Sequence, residues 1–119
     1  SYDDIILVFG CGGDRDKSKR SKMMKVAQEF ASKVIFTSDN NRYESFSSIY
    51  RDALDGNNHS GAEIIEDRQD ALKSGLSHLN KKNILVILGK GHEKVQEIEN
   101  KLIPFDDTKI AIEAMELEN

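Results

Sequence analysis

Three short segments of the 119-residue chain concentrate charged or amide side chains, the first and third together with glycine: Gly10-Cys11-Gly12-Gly13-Asp14-Arg15, Asp39-Asn40-Asn41-Arg42 and Gly89-Lys90-Gly91-His92-Glu93. The first begins like a dinucleotide-binding fingerprint, but Arg15 stands where the third glycine belongs. It also fails as a phosphate loop. The Lys17-Ser18 pair follows Asp16 rather than glycine, and Asp14 and Asp16 would repel a phosphate held there. A tight strand-to-helix turn needing positive φ is enough to account for its glycines. The density of Arg15, Lys17, Lys19 and Arg20 is left over; such a cluster reads either as a solvated face or as a surface that meets an anionic ligand.

Other reactive side chains have plainer readings. Cys11 follows a strand, as a nucleophile could, but no base is adjacent in sequence, so a small buried thiol is expected. His92 has no second histidine or cysteine nearby and is expected to hydrogen-bond rather than bind metal. His59 and His78 are expected at the surface, and Met23-Met24 in the core.

The elements that position these segments alternate. Ile5–Phe9 and Ile84–Leu88 are continuous apolar runs, as in strands covered on both faces. Val34–Phe36 and Ala62–Glu66 read as further strands. Helical spacing places Met23, Ala27, Phe30 and Ala31 on one face, and Phe46, Ile49, Tyr50, Ala53 and Leu54 on another, with Gly56 to end that helix. Asp67 is a candidate cap for a helix carrying Leu72, Leu76 and Leu79, with Asp70 in its first turn. A short helix is expected around Val95 and Ile98. Leu102–Phe105 reads as an edge strand because of Pro104, and a last helix runs through Ile110 and Met115. The expectation is an α/β, Rossmann-like three-layer sandwich: a mostly parallel sheet, an edge strand near the C-terminus and helices on both faces. In such sheets ligands bind beyond the carboxyl ends of the strands, which is where the three polar segments should converge.

Composition narrows the partners. A net charge of −4 disfavours nonspecific nucleic-acid binding. No apolar run is long enough to span a bilayer, and the acidic start is unlike a signal peptide. One cysteine excludes an intrachain disulfide and fits a reducing, cytoplasmic setting. The first core strand begins almost at once, so the chain is expected to be one domain, residues 1–119, of a longer protein.

The polar segments also carry a resemblance. Val8–Lys17 with Lys19-Arg20, then Asp39-Asn40-Asn41-Arg42, then Gly89–Glu93, then Phe105-Asp106-Asp107 are similar, in order and spacing, to the C-terminal domain of the MurE branch of the Mur ligase family. The second segment resembles that family's Asp-Asn-Pro-Arg motif, with Asn41 in place of proline; the third matches its Gly-Lys-Gly-His-Glu motif.

This resemblance implies a cytoplasmic bacterial enzyme of peptidoglycan synthesis: an ATP-dependent acid–amino-acid ligase of three domains. The first binds the uridine nucleotide substrate, and the central one binds ATP and Mg2+. The third presents the amino acid that is added to UDP-N-acetylmuramoyl-L-alanyl-D-glutamate. Both other domains are absent here, so this chain is expected to hold no cofactor, metal or catalytic residue, and to be inactive alone. Its expected ligand is meso-diaminopimelate, through Arg15, Asp39, Asn40, Asn41, Arg42, Gly89 and Glu93. Arg42, assisted by Arg15, would bind the distal carboxylate that lysine lacks. Asp39, Asn40 and Glu93 would hold the distal ammonium, and Gly89 would offer its carbonyl. Asn tolerates the backbone of the replaced proline but does not stiffen the loop. A lysine-adding ligase and a free-standing flavodoxin-like, receiver-type module are the alternatives. The second would need acidic residues clustered at the carboxyl ends of the strands, where Glu66-Asp67 could mimic a phosphoacceptor site and Lys90 its lysine, but it has no use for the glycine-rich loop.

Overall fold

The computed structural model describes residues 4–13, 17–39, 41–80, 82–88 and 95–98. The elements run β1 (Asp4–Phe9), α1 (Ser18–Phe30), β2 (Lys33–Phe36), α2 (Phe46–Leu54), a 3-10 turn (His59–Gly61), β3 (Glu63–Ile64), α3 (Arg68–Ser77), β4 (Asn83–Leu88) and β5 (Val95–Ile98). They form a five-stranded sheet of order β3-β2-β1-β4-β5. β1 pairs in parallel with β2 and with β4, and β2 in parallel with β3. The strand order reverses at β1, which makes the β1/β4 crevice the topological switch point of the fold.

Strand periodicity divides the core in two. Leu7, Phe9, Val34, Phe36, Ile84 and Val86 point to one face and pack with Met23, Met24 and Ala27 of α1 and Phe46, Ile49, Ala53 and Leu54 of α2. Ile6, Val8, Ile35, Leu85 and Ile87 point to the other face and pack with Ala71 of α3. Helices therefore cover both faces, which is why β1 and β4 are apolar at every interior position. No helix among the described residues is long and apolar enough to cross a membrane.

Two elements differ from their sequence reading. Val95–Ile98 is a strand, not a helix: it pairs antiparallel with β4, with Leu85 opposite Ile98 and Leu88 opposite Val95. A short isolated helix is costly to nucleate, whereas β4 offers unpaired backbone groups along its free edge. β5 is the edge strand of the described sheet; the expected strand Leu102–Phe105 and final helix lie outside the described residues.

In α3 the leucines do not form the contact stripe. Ala71 and Gly75 are buried, Leu72 is half-buried and Leu76 is exposed, while Leu79, also half-buried, lies past the helix end at Ser77. A Cβ on Gly75 would lie 2.9 Å from Leu85 Cδ1, so small residues let this helix sit close against the sheet. Glu63 of β3 pairs with Lys33 Nζ at 2.9 Å and accepts from Ser74 Oγ at 3.0 Å. The Lys33 hydrogen bond, chiefly, lowers the Glu63 pKa.

α3 begins where Asp67 accepts a hydrogen bond from the Asp70 N–H at 3.0 Å. Loss of that cap in Asp67→Ala should destabilise the fold by about 1 kcal/mol, read as a lower urea midpoint with an unchanged slope.

Candidate functional site

β1, β2 and β4 end at one edge of the sheet because they are parallel. The glycine-rich loop leaves β1 there, and the loop 37–45 leaves β2 beside it. The second loop is fixed at both ends. Thr37 donates from its N–H to the Phe9 carbonyl (2.9 Å) and from its hydroxyl to the Glu66 carbonyl (3.1 Å). Ser38 N–H also reaches the Glu66 carbonyl, at 3.3 Å. An aromatic chain closes the base: Phe9 meets Phe36 edge-on at 5.2 Å, Phe36 stacks on Phe46 at 5.9 Å, and Phe46 contacts Tyr50 at 5.4 Å. Residues on either side of the loop are thereby held together. Ser45 caps α2 through the Ser48 N–H.

The two loops touch through the glycines. A Cβ on Gly10 would collide with the Thr37 carbonyl oxygen, and one on Gly13 with the Asn41 carbonyl oxygen. Neither glycine has positive φ. The turn-geometry reading of these residues is therefore corrected: they are glycines because another backbone lies where a side chain would be.

Between the anchors the chain makes a turn. The Glu44 N–H bonds to the Asn41 carbonyl at 3.0 Å, with Arg42 and Tyr43 in the middle. Arg42 has φ +56°, the only non-glycine residue with positive φ among the described residues. A side chain in that region costs roughly 1–3 kcal/mol and persists only where its surroundings enforce it. Arg42 and Tyr43 are both exposed, Tyr43 completely.

Arg20 enforces much of this arrangement. It is 2% exposed, although it stands in a run of basic residues. Nη1 and Nη2 grip Glu44 Oε2 and Oε1 at 2.8 and 2.7 Å, a parallel two-bond fork. Nη1 also reaches Asp52 Oδ2 at 2.9 Å, and Nη2 reaches the Gly12 carbonyl at 3.0 Å. Ser48 Oγ donates to Glu44 Oε2 at 2.9 Å. The hydrogen bond to Glu44, foremost, raises the pKa of Arg20. One side chain thus joins the glycine loop, the 41–44 turn and α2. Reading the basic run as a solvated face or an anion-binding surface misses this. The available signal is that Arg20, Met23, Met24 and Ala27 share one helical stripe.

Of the expected ligand-binding residues, Asp39, Asn41 and Arg42 fall on this edge, with Asp39 Cβ against Gly10. Arg15, Asn40, Gly89 and Glu93 lie outside the described residues, as do Lys90 and His92. Gly89 follows directly on the carboxyl end of β4 in the chain. The Asn41 side-chain oxygen is buried and has no hydrogen-bond partner among the described residues. His59 and His78 are exposed, as expected. Asp67 serves as the α3 cap, which gives the Glu66-Asp67 pair a structural role.

The family of a chain with this loop pair can be read by comparison. Residues 1–91 match the family model described as "Mur ligase, glutamate ligase domain". The chain belongs to the Mur ligase family. Its similar relatives include three proteins named UDP-N-acetylmuramoyl-L-alanyl-D-glutamate--2,6-diaminopimelate ligase. That of Rickettsia typhi is 44% identical over 89% of this chain and 22% of its own length. That of Halalkalibacterium halodurans is 43% identical over 94% and 23%. That of Listeria monocytogenes serotype 4b is 42% identical over 92% and 23%. The chain thus spans less than a quarter of each of these relatives. Family membership also sets aside the receiver-type alternative.

Cys11 is not a nucleophile in this Mur ligase chain. It is 3% exposed and lies 3.8 Å from Met23 Sδ. Burial, above all, pushes its pKa from 9.0 up to about 12. The thiol is neutral in the fold while the unfolded chain ionises, so its contribution to stability is full below pH 9 and declines as pH rises toward 12. At pH 8 a maleimide should leave Cys11 of the folded protein unlabelled and modify it in urea; rapid labelling without urea would contradict this burial.

Proposed function

We propose that residues 1–119 are the C-terminal, amino-acid-binding domain of a ligase that adds meso-diaminopimelate to UDP-N-acetylmuramoyl-L-alanyl-D-glutamate. The observation that carries this reading is Arg42, exposed at the carboxyl edge with φ +56° and backed by the Gly13–Asn41 contact. The names of the similar relatives support it.

Diaminopimelate and lysine differ by one distal carboxylate. A guanidinium binds that group with two parallel hydrogen bonds, and a ligand without it leaves the site's polar groups unmatched. Arg42 takes this role, with Arg15 assisting. Asp39, Asn40 and Glu93 hold the distal ammonium and neighbouring polar atoms, Gly89 offers its carbonyl, and Asn41 lies beside them in the loop. The reacting amine is thereby held facing the D-glutamyl carboxylate of the second substrate.

ATP with Mg2+ supplies the activation of that carboxylate as an acyl phosphate. The fit with this chain's glycine loop is poor: Lys17-Ser18 follows Asp16 rather than glycine, and Asp14 and Asp16 would repel a phosphate. The nucleotide and metal are therefore assigned to another domain of the full-length protein, as is the uridine nucleotide. Those two domains are this chain's partners. The setting that follows is peptidoglycan synthesis in the bacterial cytoplasm.

In the full-length ligase, Arg42→Ala should raise KM for meso-diaminopimelate about 10–100-fold, the worth of a charge-assisted hydrogen-bond pair of ~1.5–3 kcal/mol. KM for ATP should not move. An unchanged diaminopimelate KM would remove Arg42 from the site, and a wild-type preference for lysine would favour the lysine-adding alternative.

A further inference from the structure

Arg42 is the residue on which selection rests in the reading above, yet its side chain is exposed and among the described residues no hydrogen bond or ion pair of that side chain holds its backbone at φ +56°. The turn's last residue does. Glu44 closes the turn through its N–H to the Asn41 carbonyl, and its carboxylate accepts hydrogen bonds from Arg20, in a two-bond fork, and from Ser48. Glu44 is 11% exposed and Arg20 2%, so the pair exchanges little with water. The other two bonds of Arg20 fix the clamp to the glycine loop at Gly12 and to α2 at Asp52. Gly13, the next residue, is the one that abuts Asn41. The turn is thus gripped on one side by backbone contact and on the other by a guanidinium–carboxylate fork.

We infer that the Arg20–Glu44–Asp52 cluster is a specificity-determining device: it holds the 41–44 turn in the strained form that projects Arg42, and so sets the affinity for an amino acid carrying a distal carboxylate. This inference rests on the reading of Arg42 given above. Arg20 and Glu44 are positioning residues, which act through Arg42 and do not touch the ligand. With the fork broken, Arg42 relaxes to negative φ, the backbone region any residue prefers. Its guanidinium then leaves the place where the carboxylate binds. Asp52 is 36% exposed and takes one bond from Arg20 where Glu44 takes two, so its share is smaller.

A double-mutant cycle in the full-length ligase separates this role from simple stabilisation. Glu44→Gln keeps the shape of the side chain and removes the charge that the fork requires. It should raise KM for meso-diaminopimelate on the order of tenfold, with KM for ATP unchanged, as expected for a weakened charge-assisted contact. In an Arg42→Ala background the same change should cost less than about twofold, because the two act as one unit. Additive losses in the double mutant would overturn the inference, as would an equal rise in the KM of every substrate. Where Glu44→Gln does not give folded protein, Asp52→Asn carries the same cycle, with a smaller rise that again vanishes without Arg42. Arg42→Ala alone having no effect would sink the Arg42 reading and the clamp together. An effect of Arg42→Ala with none from Glu44→Gln and Asp52→Asn would sink the clamp only.

Discussion

A guanidinium buried among carboxylates organises the functional edge of this domain. Arg20 can leave water only because Glu44 and Asp52 supply compensating charge and the Gly12 carbonyl takes a further hydrogen bond. Such a cluster is not a general source of stability, since desolvating the ions costs about as much as their attraction returns. What it provides is position. Removing one partner strands the others, so three segments distant in sequence must adopt one relative geometry. The cost of holding Arg42 at positive φ is offset by these contacts together with the Glu44 N–H bond to the Asn41 carbonyl that closes the turn.

The sheet supplies the other half of the constraint. Parallel β1 and β2 bring their carboxyl ends together, and the Phe9–Phe36–Phe46 contacts tie those ends to the start of α2. Gly10 and Gly13 then allow the first loop to lie directly on the second. A rigid sheet thereby presents a turn in which Arg42 and Tyr43 are exposed while Asn41 and Glu44 are held. That suits discrimination between amino acids differing by one charged group, because little reordering remains to oppose binding.

The sheet was legible in the sequence because β1 and β4 are apolar at successive positions, a pattern that only a doubly covered strand needs. The adjacency of the loops after β1 and β2 followed from the rule for parallel sheets. β5 was not legible: Val95 and Ile98 stand three apart, a spacing that suits a helix face, and only the free edge of β4 decides otherwise. The role of Gly13 was hidden for a similar reason, since its need for a missing Cβ lies in Asn41, a residue far along the chain. Arg20 was concealed among Lys17, Lys19 and Arg15, while its partners Glu44 and Asp52 belong to a different helix and loop. Arg42 was marked out by its charge and by its motif, but its positive φ depends on contacts that no local pattern encodes.

The central claim is that a preformed turn offers Arg42 to the distal carboxylate of the incoming amino acid. A crystal structure of the full-length protein with meso-diaminopimelate tests it most directly. The account requires the Arg42 guanidinium to meet that carboxylate in two hydrogen bonds of about 2.7–2.9 Å, with φ still positive and the Arg20–Glu44 fork intact. A carboxylate bound by other residues, with Arg42 turned to solvent, would contradict it.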